Sequence, residues 1–161
     1  MNKKILYFSV LLIFTLFLFG CDSIIVDNTE IDVEVETRRV KDVVDGFWEA
    51  INDLDASMAN SYCNGFVVWR QFTQPYFESV GILEQFCPNL TISLYWVIND
   101  ISFRWDQLGH PRAIVNIQVN KTVMGCGDHD GTKAEFGTME LSYNGGADDV
   151  WWLIDGVWID F

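Results

Sequence analysis

Positive charge is what this chain has least of: ten Lys and Arg stand against twenty-three Asp and Glu over 161 residues, a formal net charge of −13. Binding a nucleic-acid backbone requires clustered cations, so nucleic acid is excluded as a partner class. The same deficit opposes attraction to anionic lipid surfaces. Histidine is nearly absent, with two residues, which leaves few nitrogen ligands for a zinc site. No internal repeat or low-complexity tract occurs. Half of the residues are hydrophobic and 15% are aromatic, enough for a core and against intrinsic disorder.

The N-terminus has its own pattern. Lys3 and Lys4 precede an apolar run, Ile5 to Phe19, broken only by Tyr7, Ser9 and Thr15, and small Gly20 then precedes Cys21. The run is about fifteen residues, short of the ~20 that cross a bilayer. A charged start, a short apolar core and a small-residue cleavage point make a secretory signal. With Cys21 at the cut, residues 1–20 resemble a bacterial lipoprotein signal peptide. The resemblance implies that Cys21 is diacylated and becomes the new N-terminus, placing the protein on the extracytoplasmic side of a cell membrane. Cleavage removes Lys3 and Lys4, leaving eight basic against twenty-three acidic side chains, or −15. Attachment then rests on lipid, and two or more acyl chains anchor stably where one does not. Residues 21–36 read as a lipidated acidic tether, with Asp22, Asp27, Glu30, Asp32, Glu34 and Glu36 and no cation before Thr37. Its fifteen residues after Cys21 would span roughly 50 Å if extended. Residues 37–161 suit a single domain.

Three cysteines follow Cys21: Cys63, Cys87 and Cys126. An exported chain keeps disulfides, and three thiols allow three single pairings with one left over. A hairpin of residues 90–106 and 111–125 would bring the segments around Cys87 and Cys126 together at its open end, which favours that pair. Three unpaired buried thiols remain the alternative.

The domain begins with helical periodicity. Val40, Val43, Val44, Phe47, Ile51 and Leu54 share one face of a helix expected over Thr37–Leu54. Asp55 suits the N-cap of a short second helix reaching Tyr62. A third is expected to begin near Pro75, with Thr73 as a possible cap; Tyr76, Phe77, Val80, Leu83 and Phe86 share a face, and Pro88 stops it. Phe66–Phe72 cannot be classified by period.

After Pro88 the period becomes two. Leu90, Ile92, Leu94, Trp96 and Ile98 lie on one phase, and Ile101, Phe103 and Trp105 on the other. Such a flip within a continuous strand is what a β-bulge near Asn99-Asp100 produces. Gln107–His110 makes a turn, after which Ala113, Val115, Ile117 and Val119 face the core while Arg112, Asn116, Gln118 and Asn120 face away. Lys133–Tyr143 and Val150–Phe161 supply the last strands. Helices followed by a meander of about four long antiparallel strands define an α+β fold.

Two segments carry a closer resemblance. Val40-Lys41-Asp42-Val43-Val44-Asp45-Gly46-Phe47-Trp48-Glu49-Ala50-Ile51-Asn52-Asp53-Leu54-Asp55-Ala56 is similar to the opening helix of the nuclear transport factor two-like superfamily. Trp152-Leu153-Ile154-Asp155-Gly156-Val157-Trp158-Ile159 resembles its closing strand; Asp155-Gly156 would alternatively make a two-residue hairpin turn. The resemblance implies a cone of helices packed in a curved sheet, often with a pocket. Its members include isomerases, dehydratases and non-catalytic binding modules, so fold alone does not choose among them.

For catalysis the residue to examine is Asp100, because a bulge re-aims side chains, with Tyr62, Tyr95 and His110 as potential assistants. Gly125–Gly131 gathers Cys126, Asp128, His129 and Asp130, types that bind metals, but an Asp-Gly pair between two strands is also what a hairpin requires. The hairpin is the stronger reading, and no metal or other cofactor is expected. Trp151 and Trp152 are adjacent and so point to opposite faces of a strand. The expectation is a membrane-anchored module that binds a small ligand or an envelope protein. A small isomerase or dehydratase using a pocket carboxylate and an envelope scaffold subunit that dimerises through its outer sheet face are the alternatives.

Overall fold

A computed structural model describes residues 32–65, 68–144 and 150–156. The chain divides into two units, Met1–Asp32 and Val33–Phe161; apart from Asp32, the described residues belong to the second. The signal segment, Cys21, the tether up to Ile31 and Trp158 lie outside them. Among the described residues no helix is long and apolar enough to cross a membrane.

Helix α1 spans Val33–Asn52, four residues earlier at its start than the apolar period indicates. Residues 33–36 are therefore not tether: Glu34 and Glu36 sit in the first turn, where acids favour the helix dipole, and meet Arg38 at 3.6 Å and Arg39 at 3.0 Å. Val40, Val44, Phe47, Trp48, Ala50 and Ile51 are buried. Leu54, expected on that face, lies beyond the helix end at a positive φ of 56° and is exposed. Asp55 caps α2, Ala56–Ser61, by accepting the Met58 amide at 2.9 Å. A π-helical stretch, Trp69–Thr73, leads into α3, Gln74–Phe86. Pro75 occupies its first turn, but Thr73 makes no side-chain cap bond. Tyr76 and Val80 are buried, whereas Phe86, at the far end of the expected apolar face, is exposed.

The strands β1 (Thr91–Trp105), β2 (Pro111–Met124), β3 (Gly131–Asn144) and β4 (Val150–Asp155) form one curved antiparallel sheet in the order β1-β2-β3-β4. The bulge falls where the phase flips: Ile98 pairs Ile117 and Asp100 pairs Asn116, leaving Asn99 unpaired. Ala113, Val115, Ile117 and Val119 of β2 are fully buried against the helices. Polar contacts help fix α1 on the sheet. The Trp96 indole donates to Asp45 Oδ1 at 2.9 Å, the Leu94 amide to Asn52 Oδ1 at 2.7 Å, and the Trp48 indole to the Met139 sulfur at 3.3 Å. Tyr62–Asn64 adds to the edge of β4: the Leu153 amide donates to the Tyr62 carbonyl and the Asn64 amide to the Leu153 carbonyl. The core lies between these helices and the inward face of the sheet.

Two helical glycines should respond oppositely to alanine. A β-carbon on Gly46 would overlap the phenol end of Tyr62, whereas one on Gly81 meets nothing within 4 Å. Alanine removes glycine's helix penalty of about 1 kcal/mol at either site. Gly81→Ala is thus expected to stabilise by roughly 0.5–1 kcal/mol, and Gly46→Ala to destabilise by about 1–3 kcal/mol through overpacking. Urea midpoints of the two variants check both signs.

Candidate functional site

The inward row of β2 does not stop at Val119: Lys121 and Val123 continue it. Lys121 is 5% exposed, an unusual burial for lysine. Its register partners are Leu94 on β1 and Lys133 on β3, and directly opposed residues of antiparallel strands share a face. Lys121 therefore projects between sheet and helices. A cleft of about 290 Å³ opens there, lined by Leu83 of α3, by Lys121 and Val123 of β2, and by His129 and Lys133 of the β2–β3 loop and β3. Gly131 faces Val123 across the ladder and adds no side-chain bulk. Lys133 Nζ lies 2.8 Å from Glu135 Oε1, and Glu135 is on the same inward phase, opposite Val119.

The two walls are covalently tied. Cys87 follows α3 directly and Cys126 lies in the β2–β3 loop; a disulfide joins them, with Cα atoms 5.0 Å apart. The Cys87 amide donates to the Leu83 carbonyl at 2.8 Å, so the bridge sits one turn from the Leu83 wall. On the other side the loop braces itself. The Cys126 amide donates to Asp130 Oδ1 at 2.6 Å, and Gly127–His129 form one 3-10 turn. Beside the bridge Gly125 has φ +84°, and a β-carbon there would collide with the Asn89 carbonyl, so only glycine fits.

The residues singled out for chemistry are not brought together. Asp100 is exposed at the bulge, opposite exposed Asn116, because Ile98 and Ile101 take the inward positions on either side of it. It does not enter the cleft, which corrects its candidacy as a pocket base. Tyr62 packs on Gly46, Tyr95 is exposed on the outer face, and His110 sits in the β1–β2 turn. The Gly125–Asp130 loop is longer than an Asp-Gly turn, and its Cys126 is committed to the disulfide. Among the described residues no three His, Cys, Asp or Glu are grouped to hold a metal. Cys63 is buried; burial pushes its thiol up to about 11, against the opposing effect of the Thr73 hydroxyl, so it stays protonated and unreactive at neutral pH.

Asp106 organises the turn at the opposite end of the β1–β2 hairpin. It accepts the His110 amide at 2.8 Å, the Arg112 guanidinium at 2.9 Å and the Leu108 amide at 2.9 Å. These bonds, the His110 amide first, hold its carboxyl down at about 2, against about 3.9 in an unfolded chain. Its folded pKa is the lower one. Its stabilisation is therefore present above pH ~4 and lost as pH falls from there through about 2. The expected result is an acid-side loss of stability over that window that shrinks in Asp106→Asn, measured by urea denaturation at stepped pH.

Sequence reasoning missed Lys121, although its signal was present: period two carried past Val119 places Lys121 on the core side, followed by Val123. Glu135 on β3 was missed too, and only the strand register reveals its phase.

Helices followed by a curved four-stranded antiparallel sheet place the domain in the α+β class. The chain matches no protein-family model and no curated protein. Among solved structures it is similar to the intermembrane space region of the chloroplast protein ARC6, at 13% identity and TM-score 0.50, over 74% of this chain and 93% of that one. A conserved protein from Planctomyces limnophilus DSM 3776 aligns at 10% identity and TM-score 0.47, over 74% and 91%. At such identity the first likeness concerns the fold alone.

Proposed function

We propose that this protein is a membrane-anchored extracytoplasmic lipoprotein whose domain, nuclear transport factor two-like in its finer classification, binds a small ligand in the Lys121 cleft. The leader with Cys21 supports the anchor, and the Val40–Ala56 helix supports the finer classification. The binding reading rests on one observation: a nearly buried lysine lines a cleft together with the apolar side chains of Leu83 and Val123. Ligand sites combine an apolar lining with a few placed polar groups in this way. The test is a chemically mixed fragment panel screened by NMR on the mature lipoprotein in nanodiscs. Fragments that shift Leu83, Val123 and Thr132 together support the reading; a panel that leaves all three unmoved refutes it.

A second reading, docking of an envelope protein or of another copy, is favoured by the outer sheet face. Tyr95 and Val97 on β1 and Phe136 on β3 are exposed there, with Val97, Gln118 and Phe136 in register across three strands. An apolar patch of this kind marks interaction surfaces. Sedimentation of the protein and of Phe136→Ser tests it: a larger species lost in the variant supports it, and a monomer in both cases excludes self-association.

A further inference from the structure

We propose that the open edge of β1 pairs with the same edge of a second copy of this chain, antiparallel about Ser102, so that the two sheets join into one. This surface is separate from the Lys121 cleft and from the outer sheet face. Backbone bonding defines which part of the edge is open. The Asp106 amide donates to the His110 carbonyl, and bonded and unbonded pairs alternate along an antiparallel ladder. Counting back from that turn, Arg104–Arg112 and Ser102–Ile114 are bonded pairs, whereas Phe103–Ala113 and Ile101–Val115 are not. The N–H and C=O groups of Ile101 and Phe103 therefore point away from β2. β1 stands at one end of the described sheet, and among the described residues none bonds the Ile101 or Phe103 backbone from that side. Upstream the edge is occupied: Asn52 takes the Leu94 amide and Asp45 takes the Trp96 indole. An unpaired strand edge is a template for another strand.

Charge and burial specify a second copy as the occupant. With Ser102 opposite its own counterpart, Ile101 of each copy meets Phe103 of the other, and each of these pairs exchanges both backbone bonds. On the outer face Asp100 of each copy then meets Arg104 of the other, so one strand carries both halves of the charge match. Neighbouring registers lose it: an axis at Ile101 opposes no ion pair, one at Phe103 sets Asp100 against Asp106, and one at Arg104 opposes two arginines. Asp100 is exposed, and Arg104, although bonded to Glu140 at 2.9 Å, has a 59% exposed side chain and donors to spare. The inward residues fit as well. Ile98, Ile101 and Phe103 are only half-buried and Trp105 is exposed, whereas Ala113, Val115 and Ile117 beside them on β2 are fully covered. Pairing covers Ile101 and Phe103 of both copies across the joint, as cross-strand neighbours do within a sheet.

The experiment is disulfide trapping of the full chain expressed in its own host, with copper–phenanthroline as oxidant. Residues directly opposed in an unbonded antiparallel pair have Cα atoms about 4.5 Å apart, within disulfide range. Ser102→Cys is therefore expected to give a covalent dimer, and Ser93→Cys, also exposed on β1, is not. Adding Asp100→Arg to Ser102→Cys should slow trapping about tenfold, the scale of two ion pairs turned into like-charge pairs, and Arg104→Asp should do the same. Coexpressing these two charge variants should restore trapping, because each then meets opposite charge in the other. Phe136→Ser should leave trapping unchanged, which separates this joint from docking through the outer face. A Ser102→Cys chain that stays monomeric, or traps no faster than Ser93→Cys, overturns the edge pairing. Trapping that neither charge variant slows, or that Phe136→Ser abolishes, overturns it equally.

Discussion

Replacing Trp151 with alanine is expected to destabilise the domain by about 3–5 kcal/mol, the range for deleting a large buried aromatic. Trp151 is 2% exposed in β4. Its ring packs at 5.2 Å from Tyr143 on β3 and 5.7 Å from Phe103 on β1, so residues of two other strands lose a packing partner at once. Its indole also donates to Glu36 Oε2 at 2.7 Å, joining the first turn of α1 to the last described strand. Trp151→Phe separates these effects. It retains most of the aromatic packing but removes the donor from a mostly covered Glu36, and should cost only about 1–3 kcal/mol. In thermal melts the alanine variant should fall on the order of 10–20 °C. A shift of only a degree or two would mean that β4 is not packed as described.

Removing the Cys87–Cys126 bridge is the second large effect. The cysteines are 39 residues apart, and the chain-entropy estimate for a loop of that size is about 4 kcal/mol. Against a typical domain stability of 5–15 kcal/mol, that loss is severe. The double variant Cys87→Ala/Cys126→Ala should therefore show a sharply lower urea midpoint. Added reductant should lower the midpoint of the native protein and leave the variant unchanged. The bridge also ties the Leu83 wall to the loop bearing His129, so ligand affinity should fall even below the denaturation range, where the variant is still folded. Identical midpoints with and without reductant would contradict the described pairing.

The fold was legible where local chemistry decides it. Asp55 capping α2, Pro75 opening α3, the bulge at Asn99 and the inward row from Ala113 to Val119 all follow from residue type and period. Misreadings came where distant partners decide. Val33–Glu36 read as tether because a run of acids with no cation before Thr37 looks solvated; in the fold, Glu36 is held by Arg39 and by Trp151, 115 residues away. Phe86 fits the helical face but is exposed at the last residue of α3. Leu54 falls after the helix has ended. The candidate site was legible least of all. Asp100 drew attention as a polar residue at a bulge, whereas the bulge turns it outward and restores the apolar phase at Ile101. Lys121 was overlooked because a lysine in a strand is ordinarily outward, and only its phase relative to Val119 and Val123 shows otherwise.

The most direct measurement is a native mass spectrum of the protein taken intact from its own membrane. The account predicts a chain that begins at Cys21, carries covalently bound acyl chains on that residue, and retains a noncovalently bound small molecule. A chain that retains residues 1–20, has unmodified Cys21 and carries no small molecule would contradict it.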